Sequence, residues 1–447
     1  MNKTILLFLL VISYQFAHGQ NGCISGDCDN GYGTYHYKDG KQYEGNFKDG
    51  LFSGKGTMDY NNGNIYSGEW KNDLRNGIGT MNYKSGAKYI GNFKNGNRHG
   101  KGSMKTASGN TYTGTFKDDY YSGPGKLEYA NGSAYEGRFE EDLFEGYGEL
   151  RYENGNLYKG HWRMGIRNGS GKLYYKNGRE YIGNFKNGII HGNGKMIYDK
   201  NSFYDGEWKF GNREGIGTLE NDQLHYRGDF KENFMHGEGT LKTSAGIYIG
   251  EFEFHKMEGR GRLKQTDGTI YEGHFENDYY NGNGTITYKD GSHYEGEFLN
   301  GNKHGQGKYS DKNGNVYKGQ YINGKKFGKG RLTVKGSYIY SGTFKNGLFS
   351  GQGNIQFDSG DSYTGQLQKG LFHGQGTYIF SDGSKYTGEW FKNNKHGYGV
   401  YTSSSGFIYE GQWKYGSKNG EGTLTYPDGR RKSGIWKDDE IIKEKQI

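Results

Sequence analysis

The chain has 447 residues, a formal net charge of +8 and an unusual composition, with 83 glycines, 42 tyrosines, 25 phenylalanines and only 2 prolines. Glycine is too frequent for ordinary globular domains, and the aromatic residues are too frequent for a disordered chain. The 58 basic and 50 acidic residues are intermixed without long runs of like charge, which argues against a polybasic tail and against nucleic acid as a partner.

Residues 1–19 have the features of a secretory signal peptide. Lys3 supplies the positive charge that is typical of the start of a signal peptide. Residues 5–16 are mainly apolar but too few to span a bilayer. Small residues up to Gly19 suit cleavage before Gln20. An N-terminal membrane anchor is the alternative. No other apolar segment approaches 18 residues, so we expect a soluble protein exported to the periplasm, the cell envelope or the extracellular space.

Residues 20–30 form a short N-terminal segment that contains both cysteines of the chain, Cys23 and Cys28. In an exported protein, two cysteines this close together are expected to form a disulfide, which would stiffen the N-terminal edge of the fold. Two free thiols or a metal site are the alternatives. Two ligands without a nearby Cys/His pair do not make a zinc site, so no metal is predicted here.

Residues 31–436 consist of 18 repeats with a period of 23 residues, apart from two steps of 22 that end at Tyr226 and Tyr248. Each repeat opens with Gly-x-Gly and closes with Tyr-x-Gly-x-aromatic, although Lys432 replaces the tyrosine in the last one and Leu367 replaces the final aromatic residue in another. The period-two spacing within each motif predicts a β-strand with one apolar face. The predicted repeat-core residues include Tyr43, Gly45, Phe47, Tyr66, Gly68, Trp70, Tyr89, Gly91, Phe93, Tyr386, Gly388 and Trp390.

Between the two motifs, many repeats carry Asn-Gly or Asp-Gly, as at Asp39-Gly40 and Asn62-Gly63, which predicts a two-residue primed turn and hence a β-hairpin. A lone hairpin is marginal in water, so each must bury its aromatic face against its neighbours. The predicted fold is all-β, an elongated single-layer antiparallel array of about 18 stacked hairpins, on the order of 170 Å long at ~4.8 Å per strand. Residues 437–447 remain as a charged C-terminal tail.

The spaced motifs Tyr386-Thr387-Gly388-Glu389-Trp390 and His396-Gly397-Tyr398-Gly399 closely resemble the MORN repeat (membrane occupation and recognition nexus). The resemblance extends over residues 31–436. It implies a β-hairpin array and a role in assembly, protein binding or attachment to membranes. Members of this family often carry a catalytic domain, such as a lipid kinase or a lysine methyltransferase, and better-known members are intracellular. Here the repeats leave no stretch long enough for such a domain, and the predicted export signal departs from the family's usual location.

Residues that could carry chemistry recur with the repeat and are not set apart from it. Six of the 13 histidines precede the first glycine of Gly-x-Gly, and neighbours one repeat apart would lie roughly 10 Å from each other, too far to share a zinc ion. We expect them to fill turns; they are His99, His191, His236, His304, His373 and His396. The segment Gly169-Ser170-Gly171-Lys172 lacks the spacing and the helix of a phosphate-binding loop. No catalytic residue, metal or cofactor is predicted.

The predicted function is a non-enzymatic exported scaffold that binds protein partners, with self-association included. The alternative is a binding module for anionic membrane lipid or cell-surface glycan, through basic or exposed aromatic side chains. The aromatic stripe is expected to be core, although a partly open trough could stack on sugar rings or take up an apolar partner surface. We expect function to lie on positions that vary between repeats, since the recurring positions serve stacking.

Overall fold

The computed structural model describes residues 21–445, which contain 38 β-strands and no helix. The all-β prediction is confirmed. The chain divides into two compact units, the first ending at Asn212 and the second beginning at Arg213. The predicted signal peptide, residues 1–19, lies outside the described residues.

The first unit is a meander in which each strand from the second onwards pairs antiparallel with the strand before it. Its first strand lies within the short N-terminal segment and pairs with the first strand of the repeats. The strands are β1 Gly22–Gly26, β2 Tyr32–His36, β3 Gln42–Lys48, β4 Leu51–Asp59, β5 Ile65–Lys71, β6 Leu74–Asn82, β7 Lys88–Lys94, β8 Asn97–Lys105, β9 Thr111–Lys117, β10 Tyr120–Glu128, β11 Ala134–Glu140, β12 Leu143–Arg151, β13 Leu157–Arg163, β14 Ile166–Tyr174, β15 Glu180–Lys186, β16 Ile189–Ile197 and β17 Phe203–Lys209.

The second unit repeats this arrangement, and its strands again pair in chain order. Its last strand is formed by residues that the sequence analysis assigns to the charged tail. The strands are β18 Asn212–Glu220, β19 Leu224–Lys231, β20 Phe234–Thr243, β21 Gly246–Glu253, β22 Lys256–Gln265, β23 Ile270–Glu276, β24 Tyr279–Thr287, β25 His293–Leu299, β26 Asn302–Ser310, β27 Val316–Ile322, β28 Lys325–Val334, β29 Tyr338–Lys345, β30 Leu348–Phe357, β31 Ser362–Gln368, β32 Leu371–Ile379, β33 Lys385–Phe391, β34 Asn394–Thr402, β35 Ile408–Lys414, β36 Ser417–Thr425, β37 Arg431–Lys437 and β38 Glu440–Lys445.

The two-residue primed turns connect one repeat to the next, and not the two strands within a repeat as the sequence predicts. Strands β2 and β3 are joined by five residues, of which Gly40 alone has a positive φ (84°), so the prediction of a primed turn at Asp39-Gly40 is wrong. The two-residue turn joins β3 to β4, where Asp49 and Gly50 both have positive φ, 53° and 74°. Both central residues of a type I′ turn need φ above zero, which Asp-Gly and Asn-Gly tolerate. Asn95-Gly96 carries the same signal between repeats.

A β-bulge follows each two-residue turn. Phe47 faces Phe52 and Gly45 faces Gly56, so three residues of β4 stand opposite Asn46 alone. Gly54, the first glycine of Gly-x-Gly, has a φ of 63° in this bulge, where glycine avoids the strain of a left-handed backbone. The second glycine has a different role, in the packing of the tyrosine rings.

The N-terminal strand is held by the disulfide that the sequence predicts. Cys23 lies in β1 and Cys28 in the turn after it, and the two are joined by a disulfide. The bond closes the connection between β1 and β2 at the first edge of the sheet. The prediction is confirmed.

Candidate functional site

The recurring aromatic residues lie inside the structure. Their exposed fractions are 0% for Tyr43, Tyr66, Tyr89 and Tyr386, 3% for Phe93, 5% for Phe47, and 6% for Trp70 and Trp390. Of the predicted core glycines, Gly45 and Gly388 are buried and Gly68 and Gly91 are half-buried. These rings are therefore closed to sugars and to apolar partner surfaces, so the open aromatic trough does not form at the anchor positions.

Each anchor tyrosine lies across a pair of glycines on adjacent strands. A Cβ atom added to Gly45 would stand 2.5 Å from the Tyr43 hydroxyl and 2.5 Å from the Cα of Gly56, closer than real Cβ atoms come to other atoms. The Tyr43 hydroxyl donates a hydrogen bond of 3.0 Å to the backbone carbonyl of Asn46. Burial raises the pKa of Tyr89, which packs in the same way, to about 12. Glycine is required at these positions because the ring occupies the space of a side chain.

The rings also join one repeat to the next. The Tyr43 ring centroid lies 5.2 Å from that of Phe47 in its own repeat and 5.4 Å from that of Trp70 in the following one, both edge to face. Edge-to-face pairs at this separation add about 0.5–1.5 kcal/mol beyond the burial of their area. The Tyr-x-Gly-x-aromatic motif is therefore a device for stacking hairpins.

One interior position changes character from repeat to repeat. Two residues after the primed turn, Phe52 stacks on Tyr43 with centroids 3.8 Å apart, whereas Arg98 stands over the Phe116 ring at 5.4 Å. Lys395 occupies the same position, and burial lowers its pKa. Its ammonium lies within 5.6 Å of four ring centroids, those of Phe380, Tyr386, Tyr401 and Trp413. This position is absent from the predicted core, although it recurs with the repeat as an aromatic, cationic or aliphatic residue.

The opposite side of the sheet carries what we call the variable face. It consists of the residues directly before and after each strand-centre glycine, for example Glu44 and Asn46 around Gly45. Both side chains are exposed, while Tyr43 and Phe47 on the same strand are buried. Their identity varies between repeats, from acidic to basic, amide and apolar.

Shallow recesses lie over these glycines on the variable face. A recess of about 560 Å³ in the second unit is lined by Gln306, Lys308 and Lys318, and one of about 460 Å³ in the first unit by Tyr147, His161 and Lys172. Amide, charged and aromatic side chains thus border bare backbone, an arrangement that can hold an extended segment of another molecule.

Some cations of the variable face are paired with acids on a neighbouring strand. Lys159 lies 2.9 Å from Glu149, and Lys195 lies 3.8 Å from Asp205. Large rings are also exposed here. Tyr32, Tyr147 and Tyr398 expose 58%, 58% and 54% of their surface. The face is therefore polar, of mixed charge and interrupted by single aromatic residues.

The histidines that precede the bulge glycines are half-buried, as expected of residues that fill the connections. Within residues 21–445, no three His, Cys, Asp or Glu side chains converge in a way that could hold a metal ion. The same residues contain no helix of the length and hydropathy needed to cross a membrane.

Comparisons with known proteins identify the repeats. The model of the MORN repeat matches 18 segments, at residues 30–42, 43–65, 66–88, 89–111, 112–134, 135–157, 158–178, 181–203, 204–220, 226–246, 248–270, 271–293, 294–316, 317–337, 340–362, 363–385, 386–407 and 409–430. No curated protein matches the chain.

Solved structures that resemble the chain do so only weakly. The TCP domain of SAS-4 (dCPAP) from Drosophila melanogaster, in complex with a proline-rich motif of Ana2 (dSTIL), is 11% identical over 40% of this chain and 90% of its own, with a TM-score of 0.24. The wild-type TCP10 domain of Danio rerio CPAP is 10% identical over 68% of this chain and 96% of its own, with a TM-score of 0.14. A streptogramin B lyase is 12% identical over 83% and 94%, with a TM-score of 0.11. Similarity this weak carries no information about function.

Proposed function

The chain belongs to the MORN repeat family, and we propose that it is a non-enzymatic scaffold that binds protein partners along its variable face. The observation that supports this proposal is the difference between the two faces of each strand. On β3, Tyr43 and Phe47 are buried and recur in the repeats, whereas Glu44 and Asn46 are exposed and change. Residues on this surface do not pack in the interior, and they vary between repeats. The surface can therefore offer several distinct contacts along one chain.

Site-specific crosslinking tests this proposal. A photoreactive residue is placed on the variable face, at Ser67 in the first unit or Thr364 in the second, in the full chain produced by its native host. Both side chains are exposed. The control carries the same residue at Asn313, an exposed position in a connection between strands. We expect protein adducts, including adducts to a second copy, from the variable face alone. Equal labelling from the control, or none from either variable position, refutes the proposal.

A second function, binding of cell-surface glycan or anionic lipid, is favoured by the exposed rings of Tyr32, Tyr147 and Tyr398 and by the net charge of +8. Single exposed rings can stack on sugars, and a basic excess attracts anionic membranes. Glycan binding should be lost in Tyr147→Ala and be insensitive to salt. Lipid binding should fall steeply with salt, since the Debye length shortens to ~3 Å at 1 M. Absence of binding to both ligands leaves the protein scaffold as the function.

We also propose that the chain is exported. The proposal is supported by the composition of residues 1–19 and by the Cys23–Cys28 disulfide, which suits an oxidising compartment. The intact mass of the protein recovered from the cell envelope or medium should correspond to a chain that starts at Gln20. Recovery from the cytoplasm with residues 1–19 still attached refutes this proposal.

A further inference from the structure

Three cations stand directly opposite one another on the variable face of the second unit. Lys308 on β26 faces Lys318 on β27, and Lys318 faces Arg331 on β28. We call these residues the cation ladder. All three side chains are exposed. Adjacent strands are ~4.8 Å apart, so the ladder concentrates three positive charges within ~10 Å. Like charges directly opposite on a sheet destabilise it, so the isolated protein gains nothing from this arrangement.

Within the described part of the chain, the three ladder cations make no ion pair, unlike several other cations of the variable face. At the equivalent positions elsewhere, Lys159 is paired with Glu149 and Arg262 with Glu272. Among residues 21–445, none of the three ladder cations forms an ion pair or a side-chain hydrogen bond within the chain. Glu295 faces Lys308 across the strands without such a contact. Lys318 and Arg331 have no acidic residue directly opposite them, so their charges are available to a ligand.

The surroundings of the ladder indicate the kind of ligand. Two ladder residues, Lys308 and Lys318, line the recess of about 560 Å³, together with the amides of Asn283 and Gln306 and the carboxylate of Glu295. Amide side chains can hydrogen-bond to peptide groups, and the cations can take carboxylates. In an extended chain, carboxylates two residues apart lie on one side at a spacing of ~7 Å, which flexible lysine side chains can bridge.

A bilayer fits this surface less well than a peptide does. Recognition of anionic lipid by charge alone needs a cluster of about four to eight cations. The ladder has three, or four with the exposed Lys329 two residues before Arg331, and its neighbours in the same row are the acidic Glu295 on one side and the uncharged Ser341 on the other. We propose that the cation ladder binds an extended acidic segment of a protein partner, with alternating Asp or Glu residues. This inference rests on the proposed scaffold function and specifies one of its contacts.

Fluorescence anisotropy with a labelled peptide of alternating Glu and Gly tests the proposal on the full chain at low salt. Lys318→Thr should weaken binding about fivefold, the upper end of the contribution of one exposed ion pair. The triple change of Lys308, Lys318 and Arg331 to Thr should abolish it. Threonine holds the corresponding positions at Thr364 and Thr377, so these variants are compatible with the fold. Lys159→Thr, which removes a paired cation of the same face, is the matched control and should bind as the parent does.

A stability measurement separates recognition from a structural role. The triple variant loses two like-charge contacts and one opposite-charge contact, that of Lys308 with Glu295, so its melting temperature should rise in low salt while peptide binding is lost. The proposal is overturned if the peptide does not bind, if Lys159→Thr weakens it as much as Lys318→Thr, or if the triple variant melts earlier. The proposal is also overturned if the protein binds phosphatidylserine vesicles through the ladder and does not bind the peptide. That result would assign the surface to membranes. If the variable face crosslinks to proteins equally in parent and triple variant, the scaffold function stands and this inference fails.

Discussion

Replacement of Gly68 by alanine should open the sheet locally, because the space of its side chain is already filled. A Cβ atom at Gly68 would lie 2.5 Å from the Tyr66 hydroxyl and 2.8 Å from the carbonyl oxygen of Ile78. Either the Tyr66 ring moves or the strands separate. Overpacking of this kind costs about 1–3 kcal/mol, and a displaced ring also loses its 2.9 Å hydrogen bond to the Glu69 carbonyl, which contributes about 1 kcal/mol.

Together these effects should amount to about 3 kcal/mol, or roughly a hundredfold change in the local opening equilibrium. Native-state hydrogen exchange is the appropriate assay, because repeat proteins open in segments. Amides of β5 and β6 should lose about two orders of magnitude of protection, while those of distant repeats stay protected. Gly22→Ala is the control, since nothing lies within 4 Å of a Cβ atom there. Unchanged protection in Gly68→Ala would refute the close packing of tyrosine on glycine.

Three further predictions concern titration, an interior cation and the disulfide. Burial raises the pKa of tyrosines such as Tyr89 to about 12, above the value of about 10 in the unfolded chain. The stability that these tyrosines contribute is therefore fully present below pH 10 and is lost as the pH rises towards 12. Melting curves recorded from about pH 8 to 12 measure this loss. Lys395→Met should raise the melting temperature at pH 7, because it removes a cation whose pKa is lowered by burial. Methionine fits this position, since Met235 is the corresponding residue of another repeat. Reduction of the Cys23–Cys28 disulfide should cost about 2 kcal/mol and affect β1 and β2 alone in hydrogen exchange.

Each of these predictions has a control and a contrary outcome. A Tyr89→Phe variant should lose about 1 kcal/mol at neutral pH with its hydrogen bond to the Asn92 carbonyl, and a melting temperature that stays flat up to pH 12 would contradict the burial argument. Lys414→Met, at an exposed position, should leave the melting temperature unchanged, and a decrease in Lys395→Met would show that the surrounding rings stabilise the charge. Loss of protection throughout the chain on reduction would contradict the confinement of the disulfide's effect to its own edge.

Much of the fold can be predicted from sequence because its rules are local. Alternation of side chains along a strand results from backbone geometry, so the sequence alone places Tyr43, Gly45 and Phe47 on one face. The disulfide is predictable from the isolation of Cys23 and Cys28 in the chain. The prediction of the turns is wrong because Asp39-Gly40 and Asn95-Gly96 carry the same dipeptide signal, and the bulge at Gly54, which sets the register, cannot be seen in the sequence.

The candidate site is less predictable from the sequence than the fold is, because it depends on how the strands pair in the sheet. The repeats themselves indicate that function lies on the variable positions, since the recurring tyrosines and glycines are needed for stacking. Which variable residues meet is decided by strand register alone. Lys308, Lys318 and Arg331 are separated by ten or more residues in the chain and form no charge run, yet antiparallel pairing sets them side by side. The sequence by itself determined that the recurring tyrosines and the aromatic residues four positions later are interior, because side chains alternate along each strand. Only the tertiary structure decided which charges stand together, because pairing brings distant residues into contact.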